Sequence, residues 1–247
     1  MFSILKRRWI DVFCYTDDVN AYEYFPIRRA REFIPQWWKD IPNVYHDSED
    51  QYKTLATRKP TMKRCPGIIE YYKKGFMIPL WTDIEIIVDK NINQNGWSTA
   101  LGNEGSVELH PDYQKGKFLS SGRWFHNKIP SPWKIETTQQ LDFLYLQPHW
   151  SLNELNSDIM IPNGHISFYK YNHATNVQMF INKETDRIVN IKAGTPILHL
   201  VPLTEKNMKL HVQYDENRCD ILNKKEVPFS FKSEYYTTKK TDLHNRL

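Results

Sequence analysis

His110-Pro-Asp112 sets a histidine and a carboxylate two positions apart. On a strand, positions i and i+2 share a face, so both side chains could reach one metal ion. This is the spacing of the non-haem iron oxygenases, which add a distant second histidine and keep coordination positions open. His173 is the expected third ligand, with His165 and His199 as alternatives, and Lys183 and Arg187 fall where 2-oxoglutarate enzymes often carry the basic group that grips the co-substrate. Read this way, the chain would take Fe(II) and 2-oxoglutarate as cofactors. Three features weigh against it. Pro111 favours a loop over a regular strand. Arg187 is followed by Ile188 and Val189, so the Arg-x-Ser pattern of those enzymes is missing. With nine His and 29 Asp+Glu, an H-x-D arises readily by chance. The plain alternative is a surface loop with a turn-forming aspartate.

No G-x-S-x-G, G-x-x-x-x-G-K-[ST] or H-E-x-x-H is present, so no catalytic residue is assigned and enzymatic activity stays an open question. Cys14, Cys65 and Cys219 are far apart, odd in number and outside any C-x-x-C. That speaks against a disulfide framework or zinc cluster and for folding in a reducing compartment. Each cysteine is expected to act as a small core hydrophobe.

The other chemically notable residues are aromatic. Trp37-Trp38, Tyr71-Tyr72, Trp124-Phe125 and Tyr235-Tyr236 are adjacent pairs. In a strand, neighbours point to opposite faces, so one ring of each pair could lie outside the core. Such rings are common anchors at protein interfaces. Trp37, Trp38, Trp124 and Phe125 are therefore the candidate partner-binding residues.

The elements that must position these groups are mostly strands. Ile10, Val12 and Cys14 alternate with Asp11, Phe13 and Tyr15, and Met208, Leu210, Val212 and Tyr214 alternate with Lys209, His211 and Gln213. The stretch 76–89 reads as one strand, and 133–146 reads as a hairpin turning at Thr138–Gln140. Prolines at 26, 35 and 42 limit any helix between them to about two turns. Residues 64–74 read as a short helix stopped by Gly75, and Gly194 marks a tight turn with positive φ leading into an apolar strand. About ten short strands, mostly 8–15 residues apart, predict an antiparallel β-sandwich or jelly roll, double-stranded β-helix-like, with short peripheral helices. The expected division is an N-terminal arm with the first strand at 1–75, the sandwich core at 76–215 and a C-terminal arm at 216–247.

Composition narrows the function classes. With 34 aromatics and only six alanines, a helical bundle is disfavoured. No apolar run reaches the roughly 18 residues of a membrane helix, and the start lacks a secretory pattern. The net charge of +4 is uneven along the chain, with basic ends at 1–75 and 221–247 and a net acidic middle, but no segment has dense Lys/Arg clusters, so a nucleic-acid partner is not expected.

The blocks RCPGIIEYYKKGFMIPLWTDIEI (64–86), KIPSPWKIETTQQLDFLYLQP (128–148) and IKAGTPILHLVPL (191–203) together resemble an uncharacterised family of bacteriophage-encoded proteins, found in marine and T4-like phages. Thr138-Gln139 replace the Pro-Gly turn usual there, and His199 stands where glutamine is common. The resemblance implies a phage source and a β-rich fold, with no activity or catalytic residues to carry over. The expectation is a non-catalytic binding protein without cofactor. It would recognise a virion or host protein, in the virion or in the cytoplasm of the infected cell, and could form a homo-oligomer. The oxygenase is the alternative. A dUTPase-like nucleotide-binding trimer, suggested by the Gly194 turn, is the weaker one.

Overall fold

A computed structural model describes residues 9–46, 58–90, 96–99, 108–109, 124–151, 159–169 and 174–225. His110, Asp112, His173, Tyr235 and Tyr236 lie outside them. The chain is mainly β, with several antiparallel sheets and four short α-helices among the described residues, in a sandwich-like arrangement.

The first sheet has β1 (Trp9–Thr16) at its centre. It is flanked by β10 (Lys134–Thr137), antiparallel, and by β17 (Asn207–Tyr214), parallel. The second has five strands: β13 (Gly164–Ser167), β11 (Asp142–Leu146), β16 (Pro196–Pro202), β5 (Phe76–Pro79) and β2 (Arg28–Arg29). The third is β12 (Ile159–Met160), β14 (Val177–Asn182), β9 (Trp124–Ile129) and β8 (Glu108–Leu109). The fourth is β15 (Arg187–Ile191), β6 (Ile84–Val88) and β7 (Gly96–Thr99), and β3 (Val44–His46) pairs with β4 (Arg58–Pro60). The helices are α1 (Val19–Tyr24), α2 (Gln36–Asp40), α3 (Pro66–Lys73) and α4 (Glu216–Lys225).

Alternation sets which face is buried. Ile10, Val12 and Cys14 of β1, Ile135 of β10, Phe76 and Ile78 of β5, Phe143 of β11, and Leu198 and Leu200 of β16 join one apolar core with residues of the third and fourth sheets. The Phe143 ring meets Phe76 edge-on at 5.6 Å and Phe168 at 5.4 Å. The second sheet is covered on its outer side too. There α3 and the 3-10 turn Ala30–Phe33 bury Ile68, Tyr72 and Ala30 against Met77 in a second, smaller cluster. Double coverage explains why all four residues of β5 are buried.

Two local expectations fail for one reason: successive strands cross between sheets. The stretch 76–89 is two strands, because the chain turns a corner at Leu80–Asp83 and moves from the second sheet to the fourth. The hairpin expected at 133–146 does not form. β10 pairs with β1 while β11 pairs with β13 and β16, and the Thr138 N–H goes to the Asp11 carbonyl. Cys14 and Cys219 are buried as expected, but Cys65 is exposed. No helix among the described residues is long and apolar enough to cross a membrane.

Candidate functional site

Two glycines fix how the chain enters and leaves the second sheet. Gly75 follows α3 with φ +76°, and a Cβ there would stand 2.0 Å from the Leu200 carbonyl oxygen. Only glycine allows both this backbone angle and this close approach. Gly194, with φ +85°, sits in a turn docked against the corner at Leu80–Asp83. Its N–H donates to the Leu80 carbonyl at 2.7 Å, and the Leu80 N–H donates to the Thr195 carbonyl at 2.8 Å. Asp83 closes the corner. One carboxylate oxygen accepts from the Ala193 N–H at 2.8 Å and the other from Lys192 Nζ at 2.9 Å. These bonds hold the Asp83 carboxyl below its ordinary range and raise the Lys192 ammonium.

Gly75 places the end of α3 over His199. The imidazole is fully buried, on the outer face of β16 beside Met77 of β5. Its Nε2 lies 2.8 Å from the Lys74 carbonyl, which can only accept. Nε2 therefore carries the proton, and Nδ1 presents a bare lone pair. Burial lowers the imidazole pKa to about 4, so the ring is neutral at pH 7. Tyr71 of α3 stands edge-on to it at 4.4 Å, and Tyr72 stands edge-on to Tyr71 at 5.1 Å.

The arm around α2 completes the wall. Pro35 and Pro42 bracket α2, and its half-buried Trp37 donates its indole N–H to the Trp150 carbonyl at 3.1 Å. Trp38, Trp150, Phe33, Ile34 and Tyr71 all pack against the small cluster. The place holds unused hydrogen-bonding capacity, as Asn127, Trp133 and Ser167 do elsewhere. Trp38 Nε1, Tyr71 OH, Tyr72 OH, Ser151 Oγ and His199 Nδ1 are buried without a partner among the described residues. Burial raises the pKa of both phenols, that of Tyr72 to about 12, so both keep their protons. The cluster thus offers hydroxyl and indole donors and one strict acceptor, Nδ1 of His199, among ring surfaces. Unsatisfied buried groups of this kind cost about 1–3 kcal/mol each and are normally met by water or a ligand.

The remaining expected site residues are dispersed. Lys183 sits on the turn joining β14 to β15, and Arg187 is the first residue of β15. Lys183 Nζ lies 5.2 Å from the centre of the Phe125 ring. Arg187 donates to the Asn182 carbonyl and to the Thr185 hydroxyl, both at 2.8 Å, so its guanidinium holds the turn. Phe125 is 2% exposed and belongs to the main core, which withdraws it from any docking surface. Trp124 faces the other way and is half-buried. Only Trp37 and Trp38 of the four expected anchors therefore share a site. Among the described residues no three His, Cys, Asp or Glu side chains gather as a metal site would require, and the expected ligands His110, Asp112 and His173 lie outside those residues.

Tyr71, Tyr72, Trp150, Ser151 and His199 complete the site. The doubled aromatics at 71–72 are its sequence signal. His199 carries none, because its role depends on α3 lying across β16. Compared with protein families, with curated proteins and with solved structures, the chain matches none.

Proposed function

We propose that the chain is a non-catalytic recognition protein that grips an extended segment of a protein partner at the ring cluster beneath α3. The observation that carries this reading is the set of five buried, partnerless polar atoms in and beside the half-buried rings of Trp38, Tyr71 and Trp150. A peptide backbone is chemically matched to it. Carbonyl oxygens suit the hydroxyl and indole donors of Tyr71, Tyr72, Ser151 and Trp38, and an N–H suits the bare Nδ1 of His199. Trp37, held by its bond to Trp150, supplies a rigid apolar anchor that loses little entropy on binding. The resemblance to phage-encoded proteins favours a partner in the virion or in the infected host cell.

Panning a random peptide library on the full chain tests this. Peptides sharing a consensus should be retained, and the double variant Trp38→Phe/Tyr71→Phe should bind them about tenfold more weakly at unchanged thermal midpoint. The reading is wrong if no consensus emerges, or if the double variant binds the same peptides equally well.

A further inference from the structure

β17 is an edge strand whose two ends carry opposite charge. The Asp215 N–H donates to the Thr16 carbonyl at 2.9 Å. In the parallel ladder with β1, odd-numbered residues of β17 therefore turn their backbone groups toward β1, and Met208, Leu210, Val212 and Tyr214 turn theirs away. Arg29 agrees with this parity: its guanidinium donates to the Met208 carbonyl. Beyond that bond, no backbone partner meets Leu210, Val212 or Tyr214 on the outer side among the described residues. Such an edge is a ready template for another strand, with α1 packed against β17 and the Tyr22 ring 6.3 Å from that of Tyr214. Cover over the core-facing side chains also thins along it. Met208 is buried, Leu210 and Val212 are half-buried, and Tyr214 is 40% exposed.

The charge pattern names the occupant. Lys206, Lys209 and Arg29 lie at the start of β17. At its end lie Asp215 and Glu216, with Asp17 and Asp18 near enough to Tyr214 to act on its phenol. We propose that β17 pairs antiparallel with β17 of a second copy of this chain, about a twofold axis at Val212. In that register Val212 meets Val212, Leu210 meets Tyr214, His211 meets Gln213, and Lys209 meets Asp215 of the other copy. The apolar row is continued on the inner face, the basic start falls on the acidic end twice, and the outward residues exchange about six main-chain hydrogen bonds. Arg29 bonds Met208, one residue outside the paired stretch 209–215. The proposal does not rest on the ring cluster under α3.

Analytical ultracentrifugation of the full chain across 1–200 µM at about 0.15 M salt reads this directly. A monomer–dimer equilibrium is expected, with the amides of Leu210, Val212 and Tyr214 exchanging hydrogen more slowly as concentration rises. Val212→Pro removes an outward N–H that β1 does not use, and should leave a monomer. Lys209→Asp, a change at an exposed side chain, should keep the fold and weaken the dimer about tenfold through two like-charge pairs. The proposal fails if the wild type stays monomeric at 200 µM, or if it dimerises and Lys209→Asp dimerises equally well.

Discussion

The corner at Leu80–Asp83 and the ring cluster beneath α3 are both built from chain segments far apart in sequence, yet they treat polar groups in opposite ways. At the corner, the Gly194 and Ala193 amides, the Leu80 amide and both oxygens of Asp83 each have a partner. In the cluster, two phenols, an indole, a hydroxyl and an imidazole nitrogen have none among the described residues. A satisfied network fixes one geometry, and a partly satisfied one keeps capacity in reserve at a cost in stability. The first arrangement suits a joint and the second a binding site.

The two glycines give the largest expected contrast. Gly75→Ala forces a Cβ against the Leu200 backbone and should cost about 3 kcal/mol or more by denaturant unfolding. Gly194→Ala should cost only about 1–2 kcal/mol, since its Cβ would meet the Phe25 ring at an ordinary 3.6 Å and only the backbone angle is strained. Equal losses would mean that the close approach at Leu200 does not matter.

Acid should weaken the cluster selectively. The ordinary histidine pKa is 6.5 and that of folded His199 is lowered to about 4. Between those values the unfolded chain binds the extra proton, so this stability is fully present above about pH 6.5 and is lost as pH falls toward 4. The wild type should lose about 3 kcal/mol relative to His199→Gln over that window. Parallel pH curves for the two proteins would show that His199 is not held neutral.

Two oxygen deletions sharpen the contrast further. The buried Thr175 hydroxyl bonds the Ser131 hydroxyl at 2.7 Å and the Trp133 carbonyl at 3.0 Å. Thr175→Val should therefore cost about 1–2 kcal/mol. Tyr72→Phe removes a hydroxyl with no partner and should be neutral or stabilising by up to about 1 kcal/mol. A clear loss for Tyr72→Phe in the isolated protein would place that hydroxyl in a structural bond and end the contrast.

Much of the sheet content was legible because period-two alternation is local. Ile10, Val12 and Cys14, like Met208, Leu210 and Val212, announce a strand and its buried face without any knowledge of their partners. The special roles of Gly75 and Gly194 were legible for the same reason, since each ends or turns an element within a few residues. Pairing was not. The alternations at 134–137 and 142–146 flank a polar turn as a hairpin does, but Asp11 takes the Thr138 amide and draws the first strand into another sheet. The Phe125 anchor was misplaced by the same limit. Alternation shows that Trp124 and Phe125 point apart, but not that Lys183 and the core enclose Phe125. Nothing local distinguishes His199 from the apolar residues beside it.

The parallel register that sets Trp9 beside Asn207 and Thr16 beside Tyr214 has a consequence during synthesis. β1 leaves the ribosome long before its neighbour has been translated, and at typical elongation rates it waits on the order of ten seconds or more. Throughout that interval its apolar face and one row of amides are exposed on the nascent chain. Completion of this sheet therefore waits for β17 and is governed by long-range contact formation, and a chaperone that shields the waiting strand should raise the yield more than one acting on the finished protein.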